Sequence, residues 1–129
     1  MIDTKDWLSG LSIGEYITQM DSFQKEMKVR LRDIRITQSE CQRVRSLDRP
    51  LKIAVLTEAW CLDSLMNLPL LVKMADCSEK IEIRIFIRGE FLDLRGKVER
   101  AGYYKIPLFI IMSQDFQILN FWMERPKSA

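Results

Sequence analysis

The chain of 129 residues is expected to form an α/β domain, and two observations carry that expectation. Residues 51 to 56 are mostly apolar with no turn-former among them, the pattern of a strand covered on both faces, and from Leu65 the apolar residues switch to helical spacing. Further on, Ile81-Glu82-Ile83-Arg84-Ile85 alternates strictly and Leu108 to Met112 is wholly apolar, so two more strands flank another helical stretch. Strands alternating with helices and closed by a hairpin build a mixed sheet.

Composition fits that class. Hydrophobic residues make up 47% and charged residues 29%, ordinary for a globular protein, and the length suits one domain. The longest apolar runs, Leu68 to Val72 and Ile106 to Met112, fall far short of a membrane span. Met1-Ile2-Asp3-Thr4-Lys5-Asp6 has no basic-then-apolar leader pattern, so a cytoplasmic location is the default expectation, with no membrane partner. Net charge is +2, but residues 25 to 52 hold nine Lys or Arg against four Asp or Glu. That cluster lacks interleaved aromatics and any nucleic-acid motif, and it reads as the solvated faces of helices. Histidine is absent, which removes imidazole as base or metal ligand. The three cysteines lack zinc spacing, so no metal or cofactor is expected.

The elements follow in order. Ser12 and Glu15 are spaced as a capping box, with Leu11 against Tyr16 as a staple. Ile13, Ile17, Met20, Phe23, Met27, Leu31 and Ile34 then fall on one face, predicting a single amphipathic helix over 12–35 that packs on the sheet. Thr37 to Leu47 reads as a shorter helix carrying Cys41, which would fill space in a core. Asp48-Arg49-Pro50 turns into the strand at 51–57. A helix then runs through Leu65, Leu68, Leu71, Val72 and Ala75 to about Cys77, kinked by Pro69. The alternating strand at 81–87 should have one wet face and lie at the sheet edge. Phe91 to Ala101 is helical with Gly102 as terminator, and Ser113-Gln114-Asp115 turns the strand at 107–112 back into 116–123.

Cys61 falls at the junction of the first strand and its helix. Helix-start N–H groups lack intrahelical partners and the peptide dipoles put partial positive charge there, so this address favours a thiolate. Asp63 opposes it, because a nearby carboxylate disfavours a second negative charge.

Trp60-Cys61-Leu62-Asp63-Ser64, Pro69 after it and Ile106-Pro107 opening a later strand together resemble the thioredoxin superfamily. Within it the sequence is similar to bacterial thioredoxin-like proteins with a single-cysteine Trp-Cys-x-Asp-Ser/Ala motif. The resemblance rests on Thr57-Glu58-Ala59-Trp60-Cys61, Asp63, Asn67-Leu68-Pro69, Gly102 before Ile106-Pro107, and Trp122 with Arg125-Pro126, over roughly residues 13 to 126. It implies a thioredoxin-like four-stranded sheet in the order 81–87, 51–57, 107–112, 116–123. N-terminal helices would replace thioredoxin's first strand and last helix, the segment 12–35 covering the face that the last helix otherwise covers. One thioredoxin-like domain over 1–129 is implied, with a helical part at 12–47 and a core at 51–126. Several such proteins continue into a helix after Arg-Pro, whereas this sequence ends at Ala129.

The resemblance also assigns roles. Cys61 would attack, Ser64 would steady its thiolate, and Trp60, Ile106 and a cis Pro107 would meet an extended substrate; Trp60 alternatively packs in the core. Tyr103, Tyr104 and Lys105 would line the same surface or serve only as loop residues. Arg88, at the carboxyl end of its strand, should reach the same sheet edge, there to meet an anion such as a glutathione carboxylate or to stand as a structural arginine. Departures are equally specific. Ser64 replaces the second redox cysteine and Val55 the buried acid. Cys77 lies about 24 Å along the same helix, beyond disulfide reach of Cys61. Two functions follow: a monothiol protein exchanging with protein thiols, disulfides or glutathione as co-substrate, or a thioredoxin-fold module that binds a partner without redox turnover. The first needs a sulfur that emerges at the helix head.

Overall fold

A computed structural model describes residues 1–123. The elements are α1 (Thr4–Leu8), α2 (Ile13–Gln19), α3 (Gln24–Asp33), α4 (Gln38–Arg45), β1 (Leu51–Thr57), α5 (Leu62–Asp76), β2 (Ile81–Ile87), α6 (Leu92–Arg100), β3 (Leu108–Ser113) and β4 (Ile118–Met123). The sheet order is β2-β1-β3-β4, with β1 parallel to β2 and the other pairs antiparallel. This is the thioredoxin-like sheet expected. Arg125-Pro126 lies outside the described residues.

Sheet alternation divides the core in two. Ile53, Val55, Ile85 and Phe109 point to the face that holds Leu68 and Leu71 of α5, together with Tyr16, Met20, Met27 and Val44 from α2, its C-cap, α3 and α4. The N-terminal helices therefore cover the face assigned to them. The cover is incomplete: Leu70, Met74, Ile111 and Trp122 line an open groove of about 540 Å³ beside α4. On the other face Ala54, Leu56, Phe86 and Ile110 pack on Trp7 of α1 and on Leu94 and Val98 of α6.

Two expectations are corrected. The segment 12–35 is two helices, because Asp21 and Ser22 interrupt it, Met20 leaves the helical region at ψ 130° and Phe23 turns left-handed at φ 57°. Short polar side chains offer backbone groups an alternative to the helix ladder. Gln24 secures the break, its Nε2 donating to the carbonyl of Ile17 at 2.7 Å. Second, the face of β2 expected to be wet is only partly so, with Glu82 exposed, Arg84 half-buried and Phe86 buried. Trp7 Nε1 donates to Glu82 Oε1 at 3.1 Å, and the Arg84 guanidinium lies over the Trp7 ring. The helix responsible, α1, is only 5 residues long and closed by an Asp3–Asp6 capping box, too short for a periodic signal. Beside these, Leu11 makes one isolated antiparallel bridge with Ile85. It relies on Gly10, where a Cβ would come within 2.7 Å of Phe86 Cζ.

Other local chemistry follows the sequence. Ser12 and Glu15 form their capping box at 3.1 and 2.8 Å. Gly102 ends α6 at φ 95°, the left-handed region glycine enters without cost. The hairpin strand starts at Ile118 rather than Phe116 because Phe116 takes φ 67° in the turn.

Candidate functional site

β1 delivers the chain to the sheet edge at Thr57, and a turn closed by the Cys61 N–H donating to Glu58 O at 3.1 Å leads into α5. Cys61 is the N-cap of that helix, extended at φ −79° and ψ 115°, with no side-chain cap of its own. The amides of residues 62 to 64 thus open the helix unpaired by it, as expected of a first turn.

Across from this turn the Ile106–Pro107 peptide is cis. The Cys61 Sγ lies 3.6 Å from the carbonyl oxygen of Ile106, to which it can donate. Cys61, Ile106 and Pro107 are therefore brought together by residues 45 positions apart in sequence. The expected emergent sulfur is met in position but not in exposure, since Cys61 is buried at 7%. Trp60 is 55% exposed, which decides between its two alternatives in favour of the surface.

Ser64 is placed differently from its expected role. It is 1% exposed and its Oγ shares a hydrogen bond with Thr57 Oγ1, below the helix turn, so it is committed to the strand. Tyr16 completes this buried layer. The ring is 1% exposed and its hydroxyl has no hydrogen-bond partner of good geometry. Burial pushes its pKa up to about 12, helped by the neighbouring charges of Cys61 and Glu58 and opposed by the Thr57 hydroxyl. Sequence reasoning placed Tyr16 only as a staple and gave Thr57 no role. The inward alternation of β1 could have exposed Thr57 as a polar residue in a buried strand.

Around the sulfur, Arg88 follows β2, its amide donating to Thr57 O at 2.9 Å. Its guanidinium lies 5.9 Å from the Trp60 ring centroid. Tyr104 is 66% exposed beside it, while Tyr103 stacks on Phe121 at 4.3 Å and so serves packing.

The remaining cysteines correct another expectation. Cys41 does not merely fill space: it is bridged to Cys77, with a Cα separation of 5.4 Å. Helix α4 lies against α5 and brings the two together, which helix pairing alone could not announce from sequence. Cys61 is the free cysteine among the described residues. None of the described residues form a group of three or more His, Cys, Asp or Glu able to hold a metal ion, and no described helix is long and apolar enough to cross a membrane.

A family model described as thioredoxin matches residues 10–129. Among curated proteins none matches. Of solved structures, a protein of unknown function from Pseudomonas aeruginosa is similar at 21% identity and a TM-score of 0.81, over 100% of this chain and 81% of the other. An HIV epitope-scaffold is similar at 21% identity and a TM-score of 0.79, over 98% of this chain and 79% of the other.

Proposed function

The chain belongs to the thioredoxin family, and from that premise we propose that it forms mixed disulfides through Cys61, as a monothiol protein acting on a thiol or disulfide substrate. One observation carries this reading: the free thiol at the head of α5 lies 3.6 Å from the carbonyl before a cis proline. A substrate segment lying extended along Ile106 would set its sulfur against Cys61.

In the proposed step the Cys61 thiolate attacks one sulfur of a disulfide. A Cys61–substrate S–S bond forms, the substrate S–S bond breaks, and the departing thiolate takes a proton from water. Ser64 has no sulfur with which to resolve the adduct, and Cys77 is held by Cys41, so release requires an external thiol such as glutathione. Ser64 supports the site by fixing the first turn of α5 to β1 through Thr57. Trp60, Ile106 and Pro107 form the wall that substrate would meet. No cofactor is needed for this exchange. The proposal treats the chain as one thioredoxin-like domain. A bridge between Cys41 and Cys77 is at home in an oxidising compartment, which favours that setting over the cytoplasm.

The burial of Cys61 favours a second reading, a thioredoxin-fold module that binds a partner over the same surface without redox turnover. Intact-mass analysis after exposure to oxidised glutathione separates the two. The first reading expects a single glutathione adduct on Cys61. A protein that stays unmodified at Cys61, even at alkaline pH, would overturn it and leave the binding module.

A further inference from the structure

Arg88 joins the two loops that flank the Cys61 sulfur. On one side its guanidinium covers the ring of Trp60, the residue before Cys61, at 5.9 Å. On the other its Nη1 donates to the carbonyl of Tyr104 at a long 3.4 Å, two residues before the Ile106 carbonyl that meets the sulfur. Its own amide is pinned to Thr57 O at 2.9 Å, which fixes where the side chain starts.

What the guanidinium lacks is an acceptor to match its charge. Its Nε is buried with no hydrogen-bond partner. Among the described residues the salt bridges join other pairs, none of them including Arg88. The nearby Glu58 carboxylate is engaged instead by the Gly89 amide, 2.9 Å from Oε2. A guanidinium presents several donors in a plane and is satisfied best by a carboxylate gripping two of them. With a single long bond to a carbonyl, the terminal nitrogens of this half-buried arginine keep unmet capacity for such a ligand, while Nε is shielded from it.

We propose that Arg88, seated on Trp60 and tied to Tyr104, is a specificity residue that selects thiol or disulfide substrates carrying a carboxylate close to the reacting sulfur. The inference rests on the proposed chemistry of Cys61. It adds that anionic disulfides are preferred over neutral ones, and that the preference lies in one side chain outside the reacting set. Oxidised glutathione and an acidic cysteine peptide share the required carboxylate.

The test compares the rates at which dithiodipropionate, an anionic disulfide, and hydroxyethyl disulfide, a neutral one, modify Cys61, followed by intact mass with Cys41–Cys77 left bridged. Arg88→Gln should lower the ratio of anionic to neutral rates about fivefold, the size expected for losing a charge-assisted bond at a partly exposed site. Arg88→Lys should recover part of the ratio. Repeating the pair with oxidised glutathione and with a disulfide-linked acidic peptide assigns the source, the true substrate type showing the larger dependence on Arg88. An unchanged ratio in Arg88→Gln, or an equal fall in both rates, overturns the inference while the Cys61 chemistry stands. Failure of both disulfides to modify Cys61 in the unaltered protein overturns the Cys61 chemistry, and the inference with it.

Discussion

Cys61 and Cys77 cap the two ends of one helix and have opposite fates. At the amino end the sulfur is free, set against the Ile106 carbonyl and a cis proline. At the carboxyl end, about 24 Å away by helical rise, the sulfur is bridged to α4, and Arg45 Nε donates to the Cys77 carbonyl at 3.2 Å. A cation suits that end, where the peptide dipoles leave partial negative charge. The same residue type is therefore free at one end and bridged at the other. Partner and position decide which, and the side chain does not.

The sharpest way to break this contrast is to remove each sulfur in turn. The bridge closes a loop across a sequence separation of 36, and in the chain-entropy account such a loop contributes about 4 kcal/mol by restricting the unfolded chain. Replacing both Cys41 and Cys77 by serine should lower unfolding stability by about that amount in a denaturant titration. Cys61→Ser should cost below about 1 kcal/mol, since serine is a favoured N-cap and its hydroxyl can serve the uncapped start of α5. Equal losses at both ends would show that the two addresses do not differ in this way.

Much of this was legible before any coordinates. The apolar run of β1, the strict alternation of β2 and the Ser12–Glu15 box each follow from periodicity or from a local hydrogen bond between near neighbours, so short windows of sequence contain them. The placing of Cys61 at a helix head is of the same kind. What escaped depends on contacts between distant segments. The Cys41–Cys77 bridge needs α4 laid along α5, and the commitment of Ser64 to Thr57 needs the depth of β1 beneath the helix turn. The break at Asp21-Ser22 was hidden for another reason: the apolar spacing continues through it, so a pattern counted along the chain cannot distinguish one helix from two that share a face.

A smaller effect sharpens the amino end. Tyr16 lies in the layer beneath Cys61 with its pKa pushed up to about 12, against about 10 in an unfolded chain. Below pH 10 the hydroxyl is protonated in both states and stability does not depend on it. Between pH 10 and 12 the unfolded chain loses this proton while the folded one keeps it, so stability falls as pH rises, by about 2 to 3 kcal/mol in all. Tyr16→Phe should remove that alkaline loss. At neutral pH it should be neutral or slightly stabilising, because a buried hydroxyl without a partner is a cost. A large loss at neutral pH would mean that the hydroxyl is bonded after all, with Thr57 the nearest candidate.

The middle of α5 explains how the helix holds both ends in line. Pro69 has no N–H, so the carbonyl of Leu65, four residues earlier, loses its helical donor. Arg30 of α3 replaces it: Nε donates to Leu65 O at 2.8 Å and Nη2 to Met66 O at 2.9 Å. By sequence the basic residues of this segment form a solvated face, yet Arg30 is the group that allows a proline inside the helix. Arg30→Ala should cost about 1 to 2 kcal/mol, the range for charged donors to carbonyls at a partly exposed site. Adding Pro69→Ala should recover part of that cost, since the restored amide can then bond Leu65 O. A double-mutant cycle in which the two changes simply add would show that arginine and proline are not coupled.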